Sequence, residues 1–171
     1  MPKVQREHII QGQAVKFVAA AVIPEHEMFA FDRSAGGVKQ RAAEKRQGIR
    51  NGTPDTLVRV VEFAPIWCEF KQGREAPNDG QKRMGARLKA LGDHWFWAAT
   101  VVAYAEGLNA IGVPMRPGWR VMAEQYQARA EALIAKRESE VRKPARSAKP
   151  QPRFQMGKRA VKRVRSAGIR L

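Results

Sequence analysis

The chain has 171 residues, with 32 Lys and Arg against 16 Asp and Glu, which gives a net charge of +16. A single cysteine, Cys68, excludes a disulfide framework and a multi-cysteine zinc site, and its apolar neighbours favour a buried thiol. No apolar run approaches the ~20 residues that span a bilayer and no signal peptide is visible, so we expect a cytoplasmic protein that attracts nucleic acid.

Helical spacing of apolar residues predicts an amphipathic helix over 6–23, which Pro24 ends. Its apolar stripe consists of Ile9, Ile10, Gln13, Ala14, Phe17 and Val18. Alternation predicts a strand over 27–32 with Phe29 and Phe31 on one face. Residues 33–52 are rich in Gly, Arg and Lys without periodicity, which predicts a mobile basic loop.

Two strands are predicted next, over 55–63 and 64–71, with a turn at Ala64-Pro65. A helix follows from about 79 to 91, capped by Asn78 or Asp79. A short buried strand in 94–100 and a helix over 101–111 complete the pattern. Helices and strands in this order predict an α/β domain whose mixed central sheet is flanked by helices.

The carboxyl-terminal part of the chain is polar and strongly basic. A helix is predicted over 117–143, with an apolar side formed by Met122, Tyr126, Ala130, Leu133 and Ile134. Residues 136–171 hold 13 Lys and Arg against 2 acidic residues, and the end of the chain should be disordered until it meets a polyanion. We therefore divide the chain into a domain at 1–115, a helix at 116–143 and a basic tail at 144–171.

Charged residues interrupt the two central strands in a pattern that points to chemistry. Residues i and i+2 of a strand share a face, so Glu69 and Lys71 project together. If the two strands pair as a hairpin, Asp55, behind a Gly-x-Pro turn, lies beside them. Two carboxylates on adjacent strands suit Mg²⁺ or Mn²⁺, and a lysine there can position or deprotonate a water. The alternative is a surface hairpin with a structural Glu–Lys pair.

The segments "GIRNGTPDTLV", "WCEFKQG" and "APNDGQKRMGARLKALG" resemble, in this order, the virus-type replication-repair nuclease (VRR-NUC) domain of the PD-(D/E)xK nuclease superfamily. The resemblance covers roughly residues 6–115 and implies a restriction-endonuclease-like core. It implies that Asp55 and Glu69 bind the metal, that the Phe70 carbonyl is a further ligand, and that Lys71 is the catalytic lysine.

Two more residues match the family on predicted helices. Gln81 matches a helix glutamine that holds the lysine or a metal-bound water. Glu7, followed four residues later by Gln11, matches an acidic residue of the first helix and would complete the metal site.

The resemblance implies a Mg²⁺-dependent DNA endonuclease in which Mn²⁺ can substitute. Stand-alone members of the family resemble Holliday-junction resolvases, so we expect a homodimer that acts on branched DNA in phage or prophage replication, recombination or repair, inside a bacterial host or phage-infected cell. The alternatives are a flap or duplex nuclease and a non-catalytic DNA-binding or packaging protein on the same fold. A restriction-type, sequence-specific nuclease is disfavoured because no recognition domain is evident.

Basic residues in two segments are predicted to contact the DNA backbone rather than the bases. They are Arg33, Lys39, Arg41, Lys45, Arg46 and Arg50 in the loop and Lys158, Arg159, Lys162, Arg163 and Arg165 in the tail. For the loop, the alternative is a solvated charged surface.

Other candidate residues are given ordinary roles. His8, His26 and His94 have no metal-ligand spacing and are interpreted as surface or helix-end residues. Trp95 and Trp97 lie in the predicted buried strand, so we favour core packing or a dimer interface over a base-stacking platform for both.

Overall fold

The computed structural model of the chain describes residues 6–31 and 53–142. The predicted basic loop at 33–52 and the predicted basic tail at 144–171 lie wholly outside these ranges. The described elements are helix α1 (Arg6–Ala21), strands β1 (His26–Ala30), β2 (Thr56–Val60) and β3 (Ile66–Phe70), helix α2 (Asp79–Ala90), strand β4 (His94–Ala98), and helices α3 (Val101–Ile111) and α4 (Trp119–Arg142). Each of these four helices is too short or too polar to cross a membrane.

The four strands form one mixed sheet in the order β1-β2-β3-β4. The pairs β1–β2 and β2–β3 are antiparallel, whereas β3–β4 is parallel. A parallel neighbour requires a crossover connection, and α2 lies in that connection between β3 and β4. The predicted α/β fold with a mixed central sheet flanked by helices is therefore confirmed.

One face of the sheet packs on the main hydrophobic core. Alternate strand residues such as Val58, Ile66 and Phe70 point to this face and are buried. The apolar stripe predicted for α1 is buried against it, as expected. Helix α4 packs along α1 and α3 and adds Ala123 and Ala130 to the same core. The helix that the sequence sets apart at 116–143 thus shares one core with the sheet.

The opposite face of the sheet carries α2, which packs against β4. Gly85 permits this close approach, because a Cβ atom at this position would overlap the Trp95 indole. Strand alternation and register place Leu57, Trp67 and Trp95 in one row on this face. This second face also carries the charged residues of the candidate site.

The structure corrects the predicted boundaries of two elements. The β2–β3 hairpin turns within residues 61–65 rather than at Ala64-Pro65 alone, because Glu62 adopts a φ of 67° and the Phe63 N–H donates to the Val60 carbonyl. Helix α1 ends at Ala21 instead of residue 23, since Val22 forms an isolated β-bridge with Met115.

Two burial predictions are also wrong. Leu133, assigned to the apolar side of α4, is exposed, whereas Ala130 of that side is fully buried. Strand β4 is an edge strand of the described sheet, so it is not buried on all sides. Its Trp95 is packed as predicted, but Trp97 is 43% exposed.

Candidate active site

Asp55 is fixed at the start of β2 by hydrogen bonds to three other parts of the fold. Its Oδ2 accepts from the Phe70 N–H of β3 at 2.7 Å. Its carbonyl accepts from the Phe31 N–H, next to β1, at 2.8 Å and from the Gln11 side-chain amide of α1 at 2.9 Å. The position of this carboxylate is therefore set by the sheet and by α1 together.

The pairing of β2 with β3 places two carboxylates side by side. Thr56 pairs with Cys68, so one step further along the antiparallel ladder Asp55 lies opposite Glu69. Directly opposite residues of such a pair project to the same face of the sheet. The structure thus brings Asp55 and Glu69 together, as the hairpin predicted from the sequence requires.

The same register gives a reason for the proline before Asp55. Pro54 is buried and falls opposite Phe70. The N–H and C=O of one strand residue point to the same side, and the Phe70 N–H points to the Asp55 carboxylate on β2. Proline has no N–H to donate in return. The Phe70 carbonyl therefore accepts no ladder hydrogen bond from Pro54. This carbonyl is a backbone oxygen beside two carboxylates.

Glu69 is only 3% exposed and is held by a cation and an amide. Its Oε1 accepts from the Lys71 Nζ at 2.8 Å and from the side-chain amide of Gln81. Such partners are needed because an unpaired charge out of water costs several kcal/mol. Strand β3 and helix α2 therefore place Glu69, Lys71 and Gln81 in direct contact.

Gln81 is oriented by the first turn of α2. Asn78 caps the helix, and its Oδ1 accepts from the Gln81 backbone N–H at 3.0 Å. In return, the Gln81 side-chain oxygen accepts from the Asn78 N–H at 2.9 Å. This reciprocal pair is a capping box. Because it engages the amide oxygen, the amide nitrogen of Gln81 is the atom that faces Glu69.

Glu7 lies half-buried in the first turn of α1 and interacts with the same cluster. Burial raises the pKa of its carboxyl, while the positive charge of Lys71 opposes this rise. The negative charges of Asp55 and Glu75 raise this pKa further, and a hydrogen bond from the Gln72 N–H lowers it. Asp55 and Lys71, the residues that Glu7 was predicted to join, thus contribute to the electrostatic environment of its carboxyl.

The oxygen donors fit a hard divalent cation that keeps several of its waters. Asp55, Glu69 and the Phe70 carbonyl supply the ligand types that Mg²⁺ uses in proteins. Within 6–31 and 53–142, however, no three His, Cys, Asp or Glu side chains form a group that could bind a metal ion together. The three-carboxylate set predicted from the sequence, with Glu7, is therefore not preassembled, and Lys71 holds the Glu69 carboxylate instead.

Two features of this region were missed or left unused by the sequence interpretation. Gln11 was noted for its spacing from Glu7, but its bond to the Asp55 carbonyl makes it a positioning residue. Helix α2 also presents a basic surface that was not predicted to contact DNA, although four cations in 12 residues were a visible signal. Its exposed members are Lys82, Arg83, Arg87 and Lys89.

The remaining sequence candidates take no part in the described cluster. Cys68 is buried as predicted, and burial raises the pKa of its thiol well above the ordinary value. The histidines belong to no metal-binding group among the described residues. The predicted DNA contacts all lie outside the described ranges: Arg33, Lys39, Arg41, Lys45, Arg46, Arg50, Lys158, Arg159, Lys162, Arg163 and Arg165.

Replacing Glu7 with glutamine should stabilise the metal-free protein at pH 7. A carboxyl whose pKa is raised in the folded state destabilises the fold when it ionises. The protein therefore loses stability as the pH rises from 4.5, the ordinary pKa of the group, through the folded-state pKa. The amide removes that penalty, although water screens part of it at this half-exposed position. We expect Tm in EDTA to rise by up to about 4 °C at pH 7, with the difference shrinking toward pH 4.5.

Exposed Glu25 provides the control, since Glu25→Gln should leave Tm unchanged at both pH values. A lower Tm for Glu7→Gln than for the wild type at pH 7 would contradict the assigned environment of Glu7.

Comparison with known proteins gives one structural likeness. No protein-family model matches the chain, and no curated protein matches it. A solved structure described as a VRR_NUC domain is similar, with 18% sequence identity and a TM-score of 0.41. The match covers 63% of this chain and 95% of that structure. The chain is thus similar to a VRR_NUC domain at a level that assigns it no activity.

Proposed function

We propose that the protein is a metal-dependent endonuclease that hydrolyses phosphodiester bonds in DNA. The observation that carries the proposal is the buried Glu69 carboxylate, which lies opposite Asp55 and is bonded to both Lys71 and Gln81. An ion pair that only stabilised the fold would need neither the second carboxylate, of Asp55, nor the side-chain amide of Gln81 directed at Glu69.

The cost of this arrangement to stability also favours a functional role. A buried carboxylate–lysine pair often contributes no more stability than apolar residues of the same volume. Burial raises the pKa of the Glu7 carboxyl, the nearby charges of Asp55 and Glu75 add to the rise, and acids with perturbed pKa values gather at functional sites. We therefore assign the cluster to chemistry rather than to stability.

In the proposed reaction, Asp55, Glu69 and the Phe70 carbonyl would hold Mg²⁺, and Glu7 would add negative charge near it. The bound ion supplies Lewis-acid stabilisation of the charge that develops on the phosphate. With the metal bound, the Lys71 ammonium, now 2.8 Å from Glu69 Oε1, would be free to stabilise the same charge from the protein side. The capping box with Asn78 holds the Gln81 side chain in place, and its amide would orient the attacking water.

The products follow from an in-line attack. The water oxygen forms a bond to phosphorus, the bond from phosphorus to the 3′ oxygen breaks, and one proton of the water is lost to solvent. The leaving oxygen takes up a proton, so the cut strands carry a 5′ phosphate and a 3′ hydroxyl.

DNA affinity is expected to come mainly from segments outside the described ranges. The described residues carry 15 Lys and Arg against 14 Asp and Glu, so residues 1–5, 32–52 and 143–171 hold +15 of the net +16. Because Lys and Arg bind DNA by neutralising its phosphates, the affinity should fall steeply as the salt concentration rises. This supports the proposed roles of the loop and the tail in binding the backbone.

We further propose that the substrate is branched DNA and that the protein acts as a homodimer, so that two strands are cut symmetrically. The support for this part is the resemblance of the sequence motifs to stand-alone, resolvase-like nucleases. A setting in phage or prophage recombination inside the cell is proposed on the same ground.

The test compares a labelled four-way junction, a flap and a linear duplex in Mg²⁺, Mn²⁺ and EDTA. The wild type should cut in either metal and not in EDTA, and Asp55→Asn should not cut. Paired symmetric nicks would support the junction proposal, whereas cutting only flaps or duplex would keep the nuclease and reject the junction. Binding without cleavage in any metal would reject the nuclease and favour the second candidate, a DNA-binding protein on this fold, for which the net charge is the supporting observation.

A further inference from the structure

Strand β4 carries three consecutive aromatic residues. Each of the first two packs against a glycine of a neighbouring helix. A Cβ atom at Gly85 of α2 would overlap the Trp95 indole, and one at Gly107 of α3 would overlap the Phe96 ring. Phe96 also packs against Tyr104, with ring centroids 5.6 Å apart. The folded structure therefore accounts for Trp95 and Phe96.

Trp97 has no such place in the fold. Its side chain is 43% exposed on an edge strand. Within the described residues it makes no hydrogen bond through its indole N–H and no ring contact. A tryptophan with over two-fifths of its surface exposed is typical of a binding surface, because its ring offers a large, rigid and amphipathic contact.

The register places this exposed indole next to the candidate active site. Trp97 pairs with Glu69 in the parallel β3–β4 ladder, so both side chains project to the same face. Adjacent strands are about 4.8 Å apart. A row across the sheet thus runs from Asp55 through Glu69 to Trp97, with the carboxylates and the indole as neighbours.

Cations lie close to the same edge of the sheet. Helix α2 packs on β4, and Lys89 of this helix lies 5.6 Å above the Trp95 ring. Lys82, Arg83 and Arg87 are exposed on the same helix. An aromatic platform beside a basic surface is the combination that proteins use to bind single-stranded nucleic acid, with phosphates on the cations and a base on the ring.

We propose that Trp97 stacks against an unpaired nucleobase of the DNA, next to the phosphate that is cut beside Asp55 and Glu69. The proposal rests on the proposed function and adds the substrate class: DNA with unpaired nucleotides beside the cut, as in a flap or a gap. A fully paired duplex offers no base face to the indole.

The test measures binding without cleavage, in EDTA, for a fluorescein-labelled duplex and for the same duplex with a single-stranded overhang. Trp97→Ala should weaken binding of the overhang DNA by about 5- to 100-fold, the usual loss when one stacking ring is removed, and binding of the duplex by less than twofold. Trp97→Phe should restore most of the loss. Phe29→Ala, at an equally exposed aromatic on the opposite edge strand, should change neither.

A fluorescent base reports stacking directly. 2-Aminopurine in the overhang should be quenched on binding to the wild type and to Trp97→Phe, and remain bright with Trp97→Ala. Equal losses on duplex and overhang, or no loss at all, would overturn the proposal. It would also be overturned if sedimentation showed that Trp97→Ala only converts a dimer to a monomer, since the indole would then contact a second copy of the chain.

These outcomes separate this inference from the proposed function. A protein that binds overhang DNA through Trp97 but never cuts would reject the nuclease and keep the stacking role. A protein that cuts, but whose Trp97→Ala variant binds and quenches as the wild type, would keep the nuclease and reject the stacking role.

Discussion

Replacing Lys71 with alanine should reduce the rate of DNA cleavage by about 10²–10⁴-fold, the usual loss when a catalytic group acting in the transition state is removed. The Lys71 Nζ lies 2.8 Å from Glu69 Oε1, in direct contact with that buried carboxylate. The measurement is single-turnover cleavage in Mg²⁺ at saturating protein. Lys16→Ala, an exposed lysine on α1, is the matched control and should cut at the wild-type rate.

The same substitution should have a signature in stability that a merely structural pair would lack. Without Lys71 the Glu69 charge keeps the Gln81 amide but loses its cation, which should cost about 3 kcal/mol in the metal-free protein. Mg²⁺ should recover much of this loss, because a second cation replaces the first. Thermal melts in EDTA and in Mg²⁺ measure both effects. Wild-type cleavage by Lys71→Ala, or a loss of Tm that Mg²⁺ leaves unchanged, would contradict the assigned role.

Truncating Phe17 to alanine should be among the most destabilising single changes. The side chain is fully buried on α1 and meets Tyr126 of α4 edge to face, with ring centroids 6.3 Å apart. Removing a buried phenylalanine costs about 3–5 kcal/mol, a large share of the roughly 5–15 kcal/mol that holds a domain together. Urea denaturation followed by circular dichroism measures the change in unfolding free energy.

Phe29→Ala is the control for size and chemistry, because Phe29 is 44% exposed on β1. Its loss should cost less than about 1 kcal/mol. Similar losses of unfolding free energy for the two variants would show that α1 is not packed against the core face of the sheet. Since α1 also carries Glu7 and Gln11, the Phe17 variant should lose cleavage near its lowered Tm and retain it well below.

The candidate site was predictable where its geometry is local. Glu69 and Lys71 share a face because they are two apart on a strand, and Gln81 follows Asn78 by the spacing of a capping box. Asp55 needed one assumption, the closure of a hairpin, which the β2–β3 pairing meets. The bond from Gln11 to the Asp55 carbonyl could not be predicted, because it depends on how α1 docks across the sheet.

Burial in the fold was less predictable than element type. The stripe of α1 was recognisable because one helix face is covered along its whole length. The aromatic run of β4 was misread, since a run of apolar residues looks the same in a central strand and an edge strand. Only the strand order shows that, among the described strands, β4 has a neighbour on one side alone. Leu133 was misassigned for a similar reason: periodicity marks a face of α4 but not where the neighbouring helices end.

The most direct test of the proposed metal site is a crystal structure with Mn²⁺ and a short DNA duplex that carries a single-stranded overhang, using the anomalous signal of the metal. We expect an anomalous peak within coordination distance of the Asp55 and Glu69 carboxylates and the Phe70 carbonyl, with the Lys71 ammonium moved from Glu69 toward a phosphate. A structure with DNA bound, no peak at these oxygens and the Lys71–Glu69 pair intact would contradict the proposed site.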